Sequence, residues 1–369
     1  MVDRADQRFM AAAIRLAKRH IGQTCENPSV GAIIVGNDGS TIVGHGVTAT
    51  GGRPHAETQA LLMAGDKAKG GTAYVTLEPC SHYGKTPPCA KALIDAAVKR
   101  VVIALADTDE RVSGRGVKML ENAGIIVKTD VLADYAYEGL SAYLATRRFS
   151  RPEVTVKMAI SADNGIGIAG KRGVAISNEL SHAVSHGMRA EHQAIMVGSR
   201  TVIADDPDLT CRLPGLENRS PIRIVIDPKL STPVGCRLVQ TAHIVPTWVI
   251  TKKGAEAHKK ANLGRLGVRV FEIDCDENVL KPKDILKLVF ENNVASVLLE
   301  GGTATATSFL ENEAVDKIVL FRSKIILGAN RIAAPDFKKY LANFSRINEA
   351  KFGKDSYSEW RRRFKCLPE

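Results

Sequence analysis

The chain has 369 residues, 44% hydrophobic and 25% charged, and a formal net charge of +11. That length suits two domains that each bury a core, and the composition excludes a disordered or fibrous chain. No apolar run approaches the roughly 20 residues that cross a bilayer, and seven cysteines spread over such a length exclude a secreted disulfide scaffold, so a reducing cytoplasm is expected.

The first residues, MVDRADQRFMAAAIRLAKRH, read as an amphipathic helix with Phe9, Ala13, Leu16 and Ala17 on one side, and not as a signal peptide. VGAIIVG (30–36) and TIVGHGV (41–47) look like paired strands across the turn NDGS. HAETQALLMAGDKA (55–68) has helical periodicity. TAYVTLE (72–78) reads as a strand, CAKALIDAAVKR (89–100) as a helix and VVIALAD (101–107) as a strand. GRGVKMLENAG (114–124) reads as a helix capped by Gly124. Such alternation means an α/β layered domain. TRRFSRP (146–152), basic, polar and ending in Pro152, marks the domain boundary, giving domains 1–147 and 151–369.

A second α/β series follows. VTVKMAI (154–160), QAIMVG (193–198), IRIVID (222–227), HIVPTWVI (243–250) and ASVLLEGG (295–302) read as strands. NELSHAVSHGMRA (178–190) and a segment through Phe309 and Leu310 read as helices. His182 and His186, four apart on one helix, lack a third metal ligand at a supporting spacing and read as surface or packing residues. The most basic run, RRRFK (361–365), lacks the interleaved aromatics of a single-strand platform. A phosphorylated small molecule or a mildly basic soluble surface would also suit the positive charge, and charge alone does not choose among these. No nucleic-acid or membrane partner is expected, and a homo-oligomer is.

The stretch EPCSHYGKTPPC (78–89) carries two cysteines that a disulfide, a metal or a chance pair of core thiols would each explain. A reducing compartment disfavours the first. Upstream, PHAETQA places His55 and Glu57 two residues apart at a helix start. His55, Cys80 and Cys89 supply three ligands, which leaves a position open for hydrolytic chemistry. Two thiolates and an imidazole suit zinc better than magnesium or calcium. Glu57 can take a proton from water and return it to a leaving group. The order H-x-E, then P-C and a second Cys, marks zinc nucleobase deaminases. Here eight residues, SHYGKTPP, separate the cysteines instead of two; Ser81, His82 and Lys85 in that loop are available to hold a polar or phosphorylated substrate. In the second half, a strand ends in Gly301-Gly302 and a helix follows. Bare amides at such a helix start bind phosphate, although the G-x-G-x-x-G fingerprint is absent and a plain tight turn fits the feature equally.

ENPSVGAIIV (26–35), PHAE (54–57) and TLEPCSHYGKTPPC (76–89) resemble the deaminase half of the bacterial bifunctional riboflavin-biosynthesis deaminase/reductase family. KMAIS (157–161), RAEHQAIMVGSRTVIADDPDLTCR (189–212), PIRIVID (221–227) and LLEGGTAT (298–305) resemble its reductase half, in the same order. The resemblance implies a cytidine-deaminase-like three-layer domain followed by a dihydrofolate-reductase-like α/β domain. It implies that His55, Cys80 and Cys89 bind zinc, that Glu57 is catalytic and that Asn27 contacts the substrate ring. It also implies that NADPH lies against Ala159, Thr201, Asp205 and Gly302, Thr303, Ala304, Thr305, Ala306 and Thr307. Lys157, Arg189, Leu209, Arg212 and Glu300 would face the substrate, with Arg189 and Arg212 suited to clamp a ribose phosphate. The chain departs from the family pattern in three places. Cys25-Glu26 replaces His-Pro before Asn27, Ala162-Asp163-Asn164 replaces Leu-Asp-Gly, and Gly173-Val174-Ala175-Ile176-Ser177 lacks the Trp of Ser-x-Trp-Ile-Thr. Two other readings are a deaminase whose second domain only binds or oligomerises, and a nucleic-acid deaminase, for which the usual C-x-x-C spacing is absent.

Overall fold

The computed structural model describes residues 3–83, 87–108, 113–275 and 279–363. The chain divides into two units, Met1–Ser150 and Arg151–Glu369.

In the first unit the strands are β1 (Gly31–Val35), β2 (Ile42–Val47), β3 (Thr72–Val75), β4 (Arg100–Ile103) and β5 (Ile126–Lys128). They form one sheet in the order β2-β1-β3-β4-β5. β1 runs antiparallel to β2 and β3, whereas β3, β4 and β5 are parallel. Five helices, α1 (Arg4–Ala17), α2 (Ala56–Ala64), α3 (Cys89–Asp95), α4 (Arg115–Asn122) and α5 (Ala133–Phe149), complete the unit. Every residue of β1 is buried, as expected of a strand covered on both faces. Helices approach this sheet through glycines. A Cβ at Gly44 would lie 2.1 Å from the Ala60 carbonyl oxygen and one at Gly46 2.2 Å from that of Ala56, so α2 lies on β2 backbone to backbone. Beneath α1, the fully buried Asp6 carboxylate takes both terminal nitrogens of Arg100 at 2.7 Å and Lys128 at 2.8 Å.

One expectation shifts here. The helix expected over 89–100 ends at Asp95, because Ala97 turns left-handed at φ +51° and the Val98 N–H returns to the Leu93 carbonyl at 3.4 Å. That closure resembles a glycine-free Schellman cap. The division between the two units falls after Ser150, within 146–152; residues 146–149 are the end of α5, whose last turn carries Arg147 and Arg148 where the helix dipole favours cations. Ser150 closes that helix at φ +50°.

In the second unit the strands are β6 (Glu153–Ile160), β7 (Gly165–Ile168), β8 (Ala194–Gly198), β9 (Ile222–Ile226), β10 (Thr247–Lys252), β11 (Arg269–Ile273), β12 (Ser296–Glu300), β13 (Lys317–Arg322), β14 (Arg331–Ala333), β15 (Phe344–Phe352) and β16 (Asp355–Arg362). Nine of them form a sheet in the order β11-β10-β9-β8-β12-β6-β13-β16-β15, and β7 pairs with β14. The sheet is parallel from β11 to β13; β16 and β15 close it as an antiparallel hairpin. The helices are α6 (Glu179–Glu191), α7 (Ser199–Asp205), α8 (Arg237–Gln240), α9 (Ala257–Arg265), α10 (Pro282–Glu291), α11 (Thr303–Glu311) and α12 (Phe337–Leu341). Continuous apolar runs such as SVLLE in β12, buried throughout, are what a strand covered on both faces requires.

The expected strand 243–250 starts only at Thr247. The Ile244 and Val245 amides instead turn back to the Thr241 carbonyl at 3.0 and 3.1 Å, and Pro246 has no N–H to give a ladder. The basic run 361–365 begins inside β16, where the Arg362 Nε donates to the Val315 carbonyl at 2.7 Å; residues 364 and 365 lie outside the described residues. No helix among the described residues is long and apolar enough to cross a membrane.

Candidate active sites

The first site is assembled by two helix starts and one loop. His55 is the N-terminal cap residue of α2, Glu57 lies in its first turn and Cys89 is the first residue of α3. Cys80 follows β3, and its carbonyl accepts the Ala90 N–H at 3.2 Å. The insertion between the cysteines thus returns to its own start. The Nδ1 of His55 lies 3.3 Å from Cys89 Sγ and 3.8 Å from Cys80 Sγ, and the Cys89 N–H donates to Cys80 Sγ at 3.2 Å. All three ligand atoms fall within 4.8 Å of one another.

Zinc fits this donor set. Tetrahedral zinc with sulfur and nitrogen ligands at about 2.3 and 2.0–2.1 Å separates them by about 3.6 Å, between the two nitrogen–sulfur distances found. Without a cation the site is already polarised. Cys80 is held down at about 4, chiefly by a hydrogen bond from Cys89, with His55 assisting. Cys89 is pushed up, because it donates to Cys80 and is buried, and His55 is raised by its bond to Cys80. Both sulfurs bind a metal as thiolates, so metal binding displaces the protons they hold. Glu57 is 4% exposed. Burial first, and the Cys80 charge second, push its carboxyl up to about 7. That value suits a group that must both take and return a proton.

Asn27 is half-buried on the segment before β1, and its carboxamide lies on Gly52: a Cβ at Gly52, where φ is +91°, would stand 2.3 Å from Asn27 Nδ2. Gly52 precedes His55 by three residues, so neighbouring parts of one loop seat the two side chains. Ser81 and His82 are half-buried beside Cys80. Lys85 lies outside the described residues.

Glu78 carries no mark in the sequence. It is 3% exposed, two residues before Cys80, and accepts backbone N–H groups from Asp107 (3.3 Å), Gly114 (3.1 Å), Gly116 (3.0 Å) and Val117 (3.3 Å). It occupies the amino end of α4 and ties that helix to the cysteine loop. A carboxylate between a strand and Pro79-Cys80 was the available signal.

The second site lies at the carboxyl ends of adjacent parallel strands, where ligands bind in open α/β sheets. Lys157 of β6 and Glu300 of β12 are register partners, with Lys157 Nζ 3.7 Å from Glu300 Oε2. Arg189 of α6 grips the same carboxylate at 2.8 and 2.9 Å and donates to the Thr210 carbonyl at 3.0 Å. Burial alone would raise Glu300, but Lys157 and Arg189 hold it at about 2. Burial lowers Lys157 more than Glu300 raises it. Two cations sharing one carboxylate leave a net positive pocket, and the lysine is the weaker base. Arg189 is therefore already paired.

Next to this cluster, β8 and β12 each run into a helix start. Gly301 and Gly302 sit at φ +74° and +66°, and a Cβ at Gly302 would lie 3.2 Å from Thr201 Oγ1. A Cβ at Gly198 would lie 2.7 Å from Thr305 Oγ1. The structure thus brings Thr201, Gly302 and Thr305 together at the starts of α7 and α11. The Thr303 hydroxyl donates to the Ala333 carbonyl. Ala304 is exposed and Thr307 half-buried, whereas the Ala306 side chain packs into the core. Asp205 ends α7, exposed. Ala159, partly buried on β6, packs near Phe321 and Tyr357. The Leu209 side chain is in the core at φ +54°, and Arg212 is 56% exposed, 3.8 Å from Asp208. Asn164, where the family pattern has Gly, takes φ +59°, a conformation that Asn tolerates better than most residues.

Residues 152–350 match the family model of the RibD C-terminal domain, and residues 3–105 that of the cytidine and deoxycytidylate deaminase zinc-binding region. The riboflavin biosynthesis protein RibD of Bacillus amyloliquefaciens is 40% identical, spanning 88% of this chain and 85% of that protein. That of Aquifex aeolicus is 41% identical, spanning 89% of each. The chain belongs to the RibD family. Two solved structures share its architecture: form 1 of Acinetobacter baumannii RibD (TM-score 0.83, 32% identity, 98% of this chain and 99% of that one), and the diaminohydroxyphosphoribosylaminopyrimidine deaminase/5-amino-6-(5-phosphoribosylamino)uracil reductase of Thermotoga maritima (TM-score 0.83, 32% identity, 97% and 99%). As a RibD, the chain joins a cytidine-deaminase-like zinc hydrolase to an NADPH-dependent reductase.

Proposed function

We propose that residues 1–147 hydrolytically deaminate 2,5-diamino-6-(5-phosphoribosylamino)pyrimidin-4-one and that residues 151–369 reduce the product's ribosyl group to ribityl. The observation that carries the first step is the convergence of His55, Cys80 and Cys89 beside a buried Glu57. These three side chains hold zinc, which when bound supplies a Lewis acid with one open position. Glu57 takes a proton from the attacking water and returns it to the departing amine, so water replaces ammonia with no net change in protons. Asn27 orients the ring.

In the second step NADPH supplies a hydride. Its phosphates lie against the Gly302–Thr307 turn, where the amides of a helix start face outward, and Ala159, Thr201 and Asp205 flank it. Lys157, Arg189 and Glu300 form the floor of the substrate pocket. Arg212, the exposed arginine of the set, takes the substrate phosphate, and the chain around Leu209 carries it. The protein works in the cytoplasm as a homo-oligomer; cysteines that are all free among the described residues support the reducing compartment.

The test is product analysis with purified protein and the diaminopyrimidine phosphate. Without NADPH the aminated substrate should become the uracil-type product and stop. With NADPH it should proceed to the ribityl compound. Deamination with no NADPH oxidation on the product would leave a deaminase with a non-catalytic second domain.

A further inference from the structure

His186 reads in the sequence as a packing histidine. It lies one turn before Arg189 on α6, and both side chains reach the loop that carries Leu209 and Arg212. The Nδ1 of His186 is 3.2 Å from the Arg212 amide nitrogen and 3.1 Å from the Thr210 carbonyl oxygen. One nitrogen cannot accept from the first and donate to the second. The Thr210 carbonyl already receives Arg189 at 3.0 Å, while Nδ1 is the acceptor the structure gives to the Arg212 N–H. The arrangement that gives the Arg212 N–H a side-chain partner places the imidazole proton on Nε2 and leaves Nδ1 an acceptor, with the Thr210 oxygen 3.1 Å away served by Arg189 instead. Further groups secure the same loop: the Cys211 N–H donates to Ser220 Oγ at 3.1 Å, and the buried Arg223 donates to the Asp208 carbonyl at 3.3 Å.

We infer that His186 is a positioning residue of the reductase: as a neutral Nε2–H tautomer it accepts the Arg212 N–H and thereby aims the Arg212 side chain at the substrate phosphate. Burial first, then the charges of Arg189 and Arg212, keep its basicity at about 4, with Glu300 and the Thr210 carbonyl opposing, so the imidazole is neutral at neutral pH. The inference rests on the reading of Arg212 as the phosphate-binding arginine. It explains why an arginine more than half exposed can still be directional: the backbone leading into it is fixed from Asp208 to its own amide, while its side chain, 3.8 Å from Asp208, stays at the surface.

The experiment compares the full-length, zinc-loaded protein with His186→Asn, His186→Gln and His186→Leu, using the deaminated pyrimidine phosphate. Asn presents an oxygen near the Nδ1 position, Gln displaces it by one methylene, and Leu removes it. KM for this substrate should stay near native for Asn and rise for Gln and Leu by roughly 2- to 12-fold, the net worth of one hydrogen bond. The Kd for NADPH should not move. Nitrogen NMR of the native imidazole should show the Nε2–H tautomer. Equal KM for Asn and Gln, or a fall in kcat alone, overturns the inference, as does an Nδ1–H tautomer. Should Leu fail to fold, the Asn–Gln contrast still decides. Arg212→Ala separates the two readings. If it raises KM and the His186 variants do not, the inference falls and the phosphate reading stands. If Arg212→Ala leaves KM unchanged, both fall.

Discussion

Two buried carboxylates in this chain are tuned in opposite directions, and the sequence marks only one of them as unusual. Glu57 has few compensating partners, so burial drives it towards neutrality at about 7. Its position in H-x-E made it legible. Glu57→Gln preserves shape and cannot carry the proton. It should retain zinc by metal analysis and lose deamination by about 10²–10⁴-fold; near-native turnover in that variant would place the proton shuttle elsewhere. Glu300 sits equally deep but between Lys157 and Arg189, which hold it at about 2. Its folded value lies below the unfolded value of about 4.3. The stability it contributes is therefore present above about pH 4.3 and lost as pH falls towards 2. Glu300→Gln strands two buried cations and should cost about 3–5 kcal/mol at neutral pH. The chain has two tryptophans, Trp248 and Trp360, both in the second unit, so their fluorescence reports its unfolding. The gap in denaturant midpoint between native and Glu300→Gln protein should shrink as pH falls from about 5 to about 2. A gap that does not change with pH would show that the pairing is not what holds the carboxyl down. Glu78 was missed because a carboxylate that binds only backbone amides leaves no partner side chain in the sequence to point at it.

At the scale of elements, glycine sets how near a helix can lie, and here the near helix carries Glu57 and is capped by His55. Gly46→Ala would force α2 away from β2, since the added carbon would meet the Ala56 carbonyl at 2.2 Å. Ala56 lies between His55 and Glu57. The variant should lose about 1–3 kcal/mol through overpacking and release zinc faster to a chelator; unchanged zinc release would mean the site tolerates the shift. At Gly302 the issue is φ as well as space. With φ at +66° and Thr201 Oγ1 3.2 Å from where a Cβ would stand, Gly302→Val is strained and intrudes on the turn. NADPH affinity should fall while deamination persists, and loss of both activities together would mark the turn as a support of the fold. The strands and helices with strong periodicity were legible: β1, β2, α2, β6, β12 and α6 lie where their patterns put them. The β15–β16 hairpin was not. Its alternation is weak because most of β15 is exposed or half-buried, so the period-two signal that marks a strand is diluted. α5 was obscured by its basic end, which in sequence reads as a domain boundary and in structure complements a helix dipole.

For the whole molecule, each unit has its own hydrophobic core and its own cluster of functional side chains, so the two chemistries should be separable by what each requires. Zinc binding stabilises only states in which His55, Cys80 and Cys89 have converged, by RT ln(1 + [Zn]/Kd). Those three residues come from separate segments of the sequence and share no continuous element, which is why the ligand set could be read from motif order but its geometry could not. A chelator strong enough to strip the metal should abolish deamination of the diaminopyrimidine phosphate. NADPH oxidation should then cease when the diamino substrate is offered, because no deaminated product forms. It should resume when the deaminated compound is supplied directly, since Lys157, Arg189, Glu300 and the Gly301–Gly302 turn need no metal. The check is NADPH absorbance in the chelated enzyme with each substrate in turn. Oxidation restored by the deaminated compound establishes two independent catalytic sites on one chain. Oxidation that stays absent, with Trp248 and Trp360 fluorescence unchanged, would mean the second unit turns over only when the first holds its zinc.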